Sequence, residues 1–278
     1  MPTMRRRPQD VDEVNRAAWS RPEILDLYTD LRGWTDPGEQ AAITCVASVA
    51  RGKRILDVGV GAGRTASLLT LLSDEYVAVD YSSQMVVRFR ENHPGLDVRE
   101  CDARDLTIFD DGRFDLVVFS FNGLDAIAHD ERPRVLRELH RVLAPGGALL
   151  FSAHNLDGPC AREVPWRSRP SIGAARWYRA ARFAARLPPR VPEMVRSYRN
   201  WLRNRAFGTA GPGWATRVAA AHEFSIVIHY ASLDWVRAEV VAAGFSVLEV
   251  FGSNDGRSVT ASTDTSDIGW FHIVASRA

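Results

Sequence analysis

Several absences narrow the chemistry of this chain. Its three cysteines, Cys45, Cys101 and Cys160, lie far apart. They suit neither a disulfide framework nor a metal knot, so a reducing cytoplasm is the expected setting. No apolar run reaches the roughly 18 residues of a membrane-spanning helix, so none is expected. Arg5, Arg6 and Arg7 precede no apolar segment, which argues against a secretory signal. No His/Cys/carboxylate cluster has ligand spacing, so no metal is expected. Net charge is only +1. No zinc knuckle, RNA-binding signature or repeated basic–aromatic module points to nucleic acid. Internal repeats are absent. Lysine is nearly so: Lys53 is the only one.

What is present is a core-forming composition, 46% hydrophobic over 278 residues. That suffices for one sizeable α/β domain with an inserted part. Residues 12–50 read as helices ahead of the core, where Trp19, Leu25, Tyr28 and Leu31 pack on it or close over a ligand. Strand and helix patterns then alternate. Strands are expected at 54–58, 76–80, 96–101, 114–120 and 148–154, and helices at 63–72, 82–92 and 131–143. Such alternation predicts a parallel sheet with helices on both faces. Ser232 caps a further helix to Ala243, and strands follow at 246–251 and 270–276. The division is 1–50 helical, 51–155 core, 156–222 insertion, and 223–278 returning to the sheet.

The most informative stretch is Arg54 to Gly63. An apolar strand runs straight into Gly59, Gly61 and Gly63, and a helix pattern follows. Glycines there let the backbone turn sharply and approach a ligand. The helix N-terminus offers free N–H groups to an anionic part of it. Asp80 ends the next strand, placed to hold a ribose hydroxyl pair. A nucleoside-containing cofactor follows. The dinucleotide pattern G-x-G-x-x-G fails, because its third glycine position is Arg64. Gly63 comes one residue early, and Asp57 precedes Gly59 by two.

This D-x-G-x-G-x-G form resembles the first motif of class I S-adenosylmethionine (SAM) methyltransferases. Val79 to Met85 resembles that family's ribose-binding strand end and helix, with Tyr81 and Met85 in the matching positions. Cys101-Asp102-Ala103 resembles its adenine-contacting turn. Phe114 to Ser120, including Phe119, resembles its fourth strand, and Leu139 to Gly147 the turn before its fifth. The resemblance implies a Rossmann-like doubly wound seven-stranded sheet whose antiparallel last strand lies between its two predecessors. It implies SAM as cofactor, held by Asp57, Gly59, Gly61, Gly63, Asp80, Tyr81, Met85, Asp102, Ala103, Phe119 and Ser120.

The insertion 156–222 departs from the minimal fold. Residues 162–205 hold twelve arginines and two acids, Glu163 and Glu193. Two helices are expected, over 172–187 and 192–205, each with an arginine stripe beside an apolar one. The stripes are either solvated faces of a lid or a surface for an anion, meaning a phosphorylated substrate or an acidic membrane. A mainly helical cap over the sheet's carboxyl edge is expected, with Trp201 as one acceptor-wall residue.

Methyl transfer to an alcohol needs a base, whereas an amine needs mainly to be neutral and positioned. Candidate bases are His154 after the fifth strand, Asp125 after the fourth, and His222 in Ala221-His222-Glu223-Phe224-Ser225. Each alternatively serves structure: His154 shapes the pocket, Asp125 caps a helix, His222 anchors the lid. Asn122 and Tyr230 are candidate substrate contacts. These segments resemble a bacterial subgroup of small-molecule or glycan-modifying methyltransferases. The expected activity is O- rather than N-methylation of a sugar-containing or secondary-metabolite acceptor. Alternatives are a phosphorylated or lipid-linked glycan acceptor, or a SAM-binding partner or sensor without turnover.

Overall fold

A computed structural model describes residues 10–166 and 187–277. Three helices precede the sheet: α1 Val11–Trp19, α2 Pro22–Asp30 and α3 Pro37–Ala50. Their starts are chemically specified. Asp10 accepts from the Glu13 N–H and Asp36 from the Glu39 N–H, and Pro22 and Pro37 open their helices without wasting a donor.

The central strands are β1 Ile55–Val58, β2 Tyr76–Asp80, β3 Asp97–Glu100, β4 Phe114–Phe119 and β5 Leu143–Asn155. Between them lie α4 Ala66–Leu69, α5 Ser83–Asn92 and α6 Arg132–Val142. The insertion supplies α7 Leu187–Asn204, β6 Thr209–Gly211 and β7 Trp214–Val218. The chain closes with β8 Val227–Ala231, α8 Leu233–Ala242, β9 Phe245–Gly252 and β10 Trp270–Arg277.

Strands β3-β2-β1-β4-β5 pair in parallel in that order, and antiparallel β10 lies between β5 and β9. This is the expected seven-stranded arrangement. Three further strands extend it. The far end of β5 pairs in parallel with β8 at His154–Tyr230, and β8 continues through β7 to β6 as an antiparallel ribbon. The ten-stranded sheet therefore recruits part of the insertion, which is not simply a helical cap. Alternate β-residues fill opposite faces. Leu56, Val117, Leu149 and Phe151 pack on one side, and Ile55, Leu116, Val118 and Leu150 on the other.

Some boundaries differ from expectation. The first core helix is one turn, 66–69, rather than 63–72, and Gly63, with φ +93, cannot be its first residue. Among the described residues helix α7 already runs through Leu187–Asn204, so Pro192 lies inside it and does not open it. The expected helix at 172–187 lies almost wholly outside the described residues. No described helix is long and apolar enough to cross a membrane.

Candidate active site

The glycine turn is built from below. Asp57 is buried, and its Oδ2 accepts from Thr65 Oγ1 and the Tyr76 hydroxyl, both at 2.9 Å. It ties the turn to the start of α4 and to β2. Burial pushes its carboxyl up to about 6, with the Tyr76 and Thr65 hydrogen bonds pulling the other way. Gly59 has φ +62, and a Cβ there would lie 2.6 Å from the Phe119 ring. The Gly61 N–H donates to Asp80 Oδ2 and the Ser82 N–H to Oδ1, both at 2.8 Å. Burial likewise raises the Asp80 carboxyl to about 6.

Gly63 has another task. Its φ is +93, its carbonyl accepts from His93 Nε2–H at 2.9 Å, and any Cβ would strike the His93 ring and crowd Phe89. It permits close packing of the turn on α5. Neither Asp57 nor Gly63 lines the cavity described next.

A cavity of about 380 Å³ opens at the carboxyl ends of the strands. Gly59, Gly61, Asp80, Tyr81 and Met85 line one side, joined by Asp102, Ala103, Phe119 and Ser120. Partial burial opposes the charge of Asp102, but the Arg104 guanidinium and backbone N–H hold its carboxyl below the usual range. Arg104 also pairs with Asp12 of α1, fastening that helix over this end.

Arg64 is the residue that breaks the dinucleotide pattern, and it also lines the cavity. Its guanidinium makes two 2.6 Å bonds to Glu39, which is 0% exposed, and donates to the Trp34 carbonyl and Ser120 Oγ. It stacks over Phe121 at 4.6 Å. In the sequence Arg64 is marked only by its mismatch to the dinucleotide pattern. Nothing local marks Glu39, 25 residues upstream, as its partner.

His154, His222 and Asn122 line the other side, with Trp19, Tyr28 and Ile228. Asp125 lies behind this wall and holds His154: its Oδ2 accepts from the His154 backbone N–H and contacts Nδ1. Behind Asp125, Arg132 is 0% exposed and bridges Asp125 to Glu239 on α8. The series Glu239–Arg132–Asp125–His154 joins residues up to 114 positions apart, so only the fold reveals it. Tyr230 is buried beside His154, with its hydroxyl on the Cys160 carbonyl, and does not line the cavity. Trp201 packs near Val218 and Phe224, and it too lies away from the cavity.

The site is also where backbone strain collects. Phe121 and Asn122, which line the cavity, and the run His222, Glu223 and Phe224, of which His222 lines it, all have positive φ. His222 stands 3.3 Å from the Tyr28 hydroxyl and edge-on to Trp19. Burial, aided by Arg21, lowers its imidazole to about 4. It is neutral at ordinary pH and a weak base.

Residues 55–147 match the family model described as a methyltransferase domain. The demethylmenaquinone methyltransferase of Renibacterium salmoninarum is 30% identical over 190 residues, covering 66% of this chain and 75% of that protein. The chain belongs to the class I SAM-dependent methyltransferases. The demethylmenaquinone methyltransferase of Clavibacter sepedonicus is 41% identical over 143 residues, 50% of this chain and 54% of that protein. The chain spans about half the length of most such curated relatives. Its fold is shared with Burkholderia thailandensis 1,6-didemethyltoxoflavin-N1-methyltransferase, solved with its acceptor and S-adenosylhomocysteine. The TM-score is 0.57 at 15% identity, covering 95% of this chain and 88% of that one. SAM is the cofactor of this family, and two features of the cavity suit it. Gly61 has φ +58, and a Cβ would meet nothing within 4 Å. The turn therefore leaves room, and the buried Asp80 carboxylate stands beside it.

Proposed function

We propose that this methyltransferase methylates a hydroxyl of a small-molecule acceptor, with His154 as the general base and Asp125 positioning it. The observation behind this reading is the 2.8 Å contact between His154 Nδ1 and Asp125 Oδ2 in a residue that lines the cavity. A carboxylate can only accept, so in neutral His154 it selects the tautomer with the proton on Nδ1. Nε2 then keeps its lone pair for an acceptor proton. A hydroxyl gains most from such a base, because it is a poor nucleophile until it loses its proton. An amine would gain less.

When bound, SAM supplies an electrophilic methyl group on its sulfonium. The Gly59–Gly61 turn and Asp80 would hold its ribose side, and Asp102 with Ala103 its nucleobase. His222, Tyr28 and Asn122 would bound the acceptor. Of the acceptors expected from sequence, a neutral secondary metabolite suits the lining better than a phosphorylated or lipid-linked glycan. Among the described residues, the arginines lining the cavity are Arg16, Arg64 and Arg104. Arg64 is already neutralised by Glu39, Arg104 by Asp12 and Asp102, and Arg16 lies over Tyr81.

The test is S-adenosylhomocysteine formation from SAM across a panel of hydroxyl and amine acceptors, with wild type and His154→Gln. The variant should lose about 10²–10⁴-fold in turnover with little change in SAM affinity. Near-normal turnover at saturating acceptor would remove His154 as base. Absence of turnover with every acceptor class would favour the non-catalytic reading.

A further inference from the structure

We propose that the acceptor presents its hydroxyl on a flat, uncharged, ring-bearing framework rather than on a sugar. This deepens the hydroxyl-methylation reading and rests on it. The side of the cavity away from the glycine turn is walled by Trp19, Leu27, Tyr28, Phe121, Ile226 and Ile228. Four rings around it contact one another, with Tyr28 and His222 tilted at 45° and the other pairs steeper. Trp19 meets Tyr28 at 5.4 Å and His222 at 5.1 Å, and Tyr28 meets Phe121 at 6.2 Å, edge to face at 67°, 72° and 77°. Such edge-to-face packing fixes a slot whose faces suit another π-system. Leu27 is 47% exposed, so the wall stays apolar out to its rim.

Polar partners decide between ring classes. A sugar brings several hydroxyls, and each one buried without a partner is costly. This end offers few. Asn15 lines the cavity but is fully spent: its amide donates to the Ala126 and Val227 carbonyls and accepts from the Val227 N–H. Tyr28 and His222 face each other at 3.3 Å. His154 remains for the reacting hydroxyl, and Asn122 for one other group. One or two polar contacts in an aromatic slot orient an apolar ring, whereas they leave most of a sugar unsatisfied.

The experiment uses the full chain loaded with S-adenosylhomocysteine, and calorimetry with 2-naphthol, methyl α-glucopyranoside and glucose 6-phosphate. 2-Naphthol should bind at least about tenfold more tightly than either sugar. Trp19→Leu and Phe121→Leu should each weaken 2-naphthol about tenfold. Phe121→Leu asks nothing new of the positive-φ backbone, since one side chain replaces another. Unchanged S-adenosylhomocysteine affinity shows that each variant is folded. Equal or tighter binding of either sugar, or no binding of 2-naphthol, overturns the proposal. Turnover is read separately. If 2-naphthol binds but is never methylated with SAM, the hydroxyl reading fails while the slot's preference stands.

Discussion

Asp125 grips His154 twice, taking its backbone N–H at 2.6 Å and its Nδ1 at 2.8 Å with the same carboxylate oxygen. The other oxygen accepts from Arg132 at 3.0 Å. As the proposed base, His154 would depend on this carboxylate for its tautomer. Asp125→Asn keeps the shape, but its amide can present an N–H to Nδ1 and reverse the tautomer. Turnover should fall by about 10²–10⁴-fold while SAM affinity holds. Single-turnover kinetics beside SAM calorimetry check this, and a normal rate would show that the pair serves structure only.

The Asp80 carboxylate takes two backbone N–H groups and still has lone pairs for a ligand. Asp80→Ala should weaken SAM by about 1.5–3 kcal/mol, the usual loss of hydrogen bonds to a charged group. Unchanged affinity by calorimetry would take Asp80 out of the ribose site.

The third glycine gives a prediction about stability rather than binding. Gly63→Ala must adopt φ +93 and displace the His93 ring. It should cost about 1–3 kcal/mol in denaturant unfolding. His93→Ala in the same chain should recover the steric part and leave the backbone part. If the double variant is no more stable than Gly63→Ala alone, packing on α5 is not the reason for glycine here.

That residue also shows what the sequence conveys. The glycine turn, Asp80 and the β10 position between β5 and β9 were readable, because local spacing and a family resemblance carry them. The separate uses of the three glycines were not, because they depend on Phe119 and His93 approaching from elsewhere. Arg64–Glu39 and Arg132–Glu239 were invisible for the same reason: a buried arginine looks like a surface one until its partner is placed. His154 and Asp125 were both candidates, but their union needed β5 to run alongside the turn after β4. The ribbon β6–β7–β8 is not legible, because its strands are only three to five residues long and pair with one another and with the far end of β5. Trp201 belongs to a segment that leaves β5 at its ligand-facing end, which suggests an acceptor wall, but it packs near Val218 and Phe224 instead.

Acid should destabilise the folded protein partly through histidine. His222 is lowered to about 4 and His229 to about 2, each mainly by burial. The unfolded chain takes up these protons near the ordinary histidine pKa of about 6.5. Stability from a neutral His222 is therefore complete above about pH 6.5 and is lost as pH falls through about 4. Asp57 and Asp80, raised to about 6, act oppositely: the folded state holds protons the unfolded one has released, which favours folding as pH falls through that value. Removing one histidine separates the two effects. His222→Asn suits a positive-φ site and should flatten the stability profile between about pH 6.5 and 4 by on the order of 1–3 kcal/mol. Denaturant unfolding at several pH values measures it, and an unaltered slope would reject the assignment.

The left-handed turn carrying His222 is held from outside by α7. Asn200 donates to the Glu223 carbonyl at 2.8 Å, and Asn204 to the Phe224 and Ser225 carbonyls at 3.3 and 3.2 Å. Arg196 adds an exposed ion pair to the Glu223 side chain. Three successive residues at positive φ are costly and persist only where neighbours enforce them. The insertion thus meets the cavity through the turn it clamps, while its Arg196 stripe faces solvent and Glu223. Asn200→Ala should cost about 1 kcal/mol of stability and raise the acceptor Michaelis constant through a displaced His222, leaving SAM affinity unchanged. Arg196→Ala should do far less, since exposed pairs contribute about 0–1 kcal/mol. Steady-state kinetics on both variants decide the matter. A larger effect from Arg196 than from Asn200, with strong salt dependence, would return the arginines to acceptor binding and demote the amide clamp.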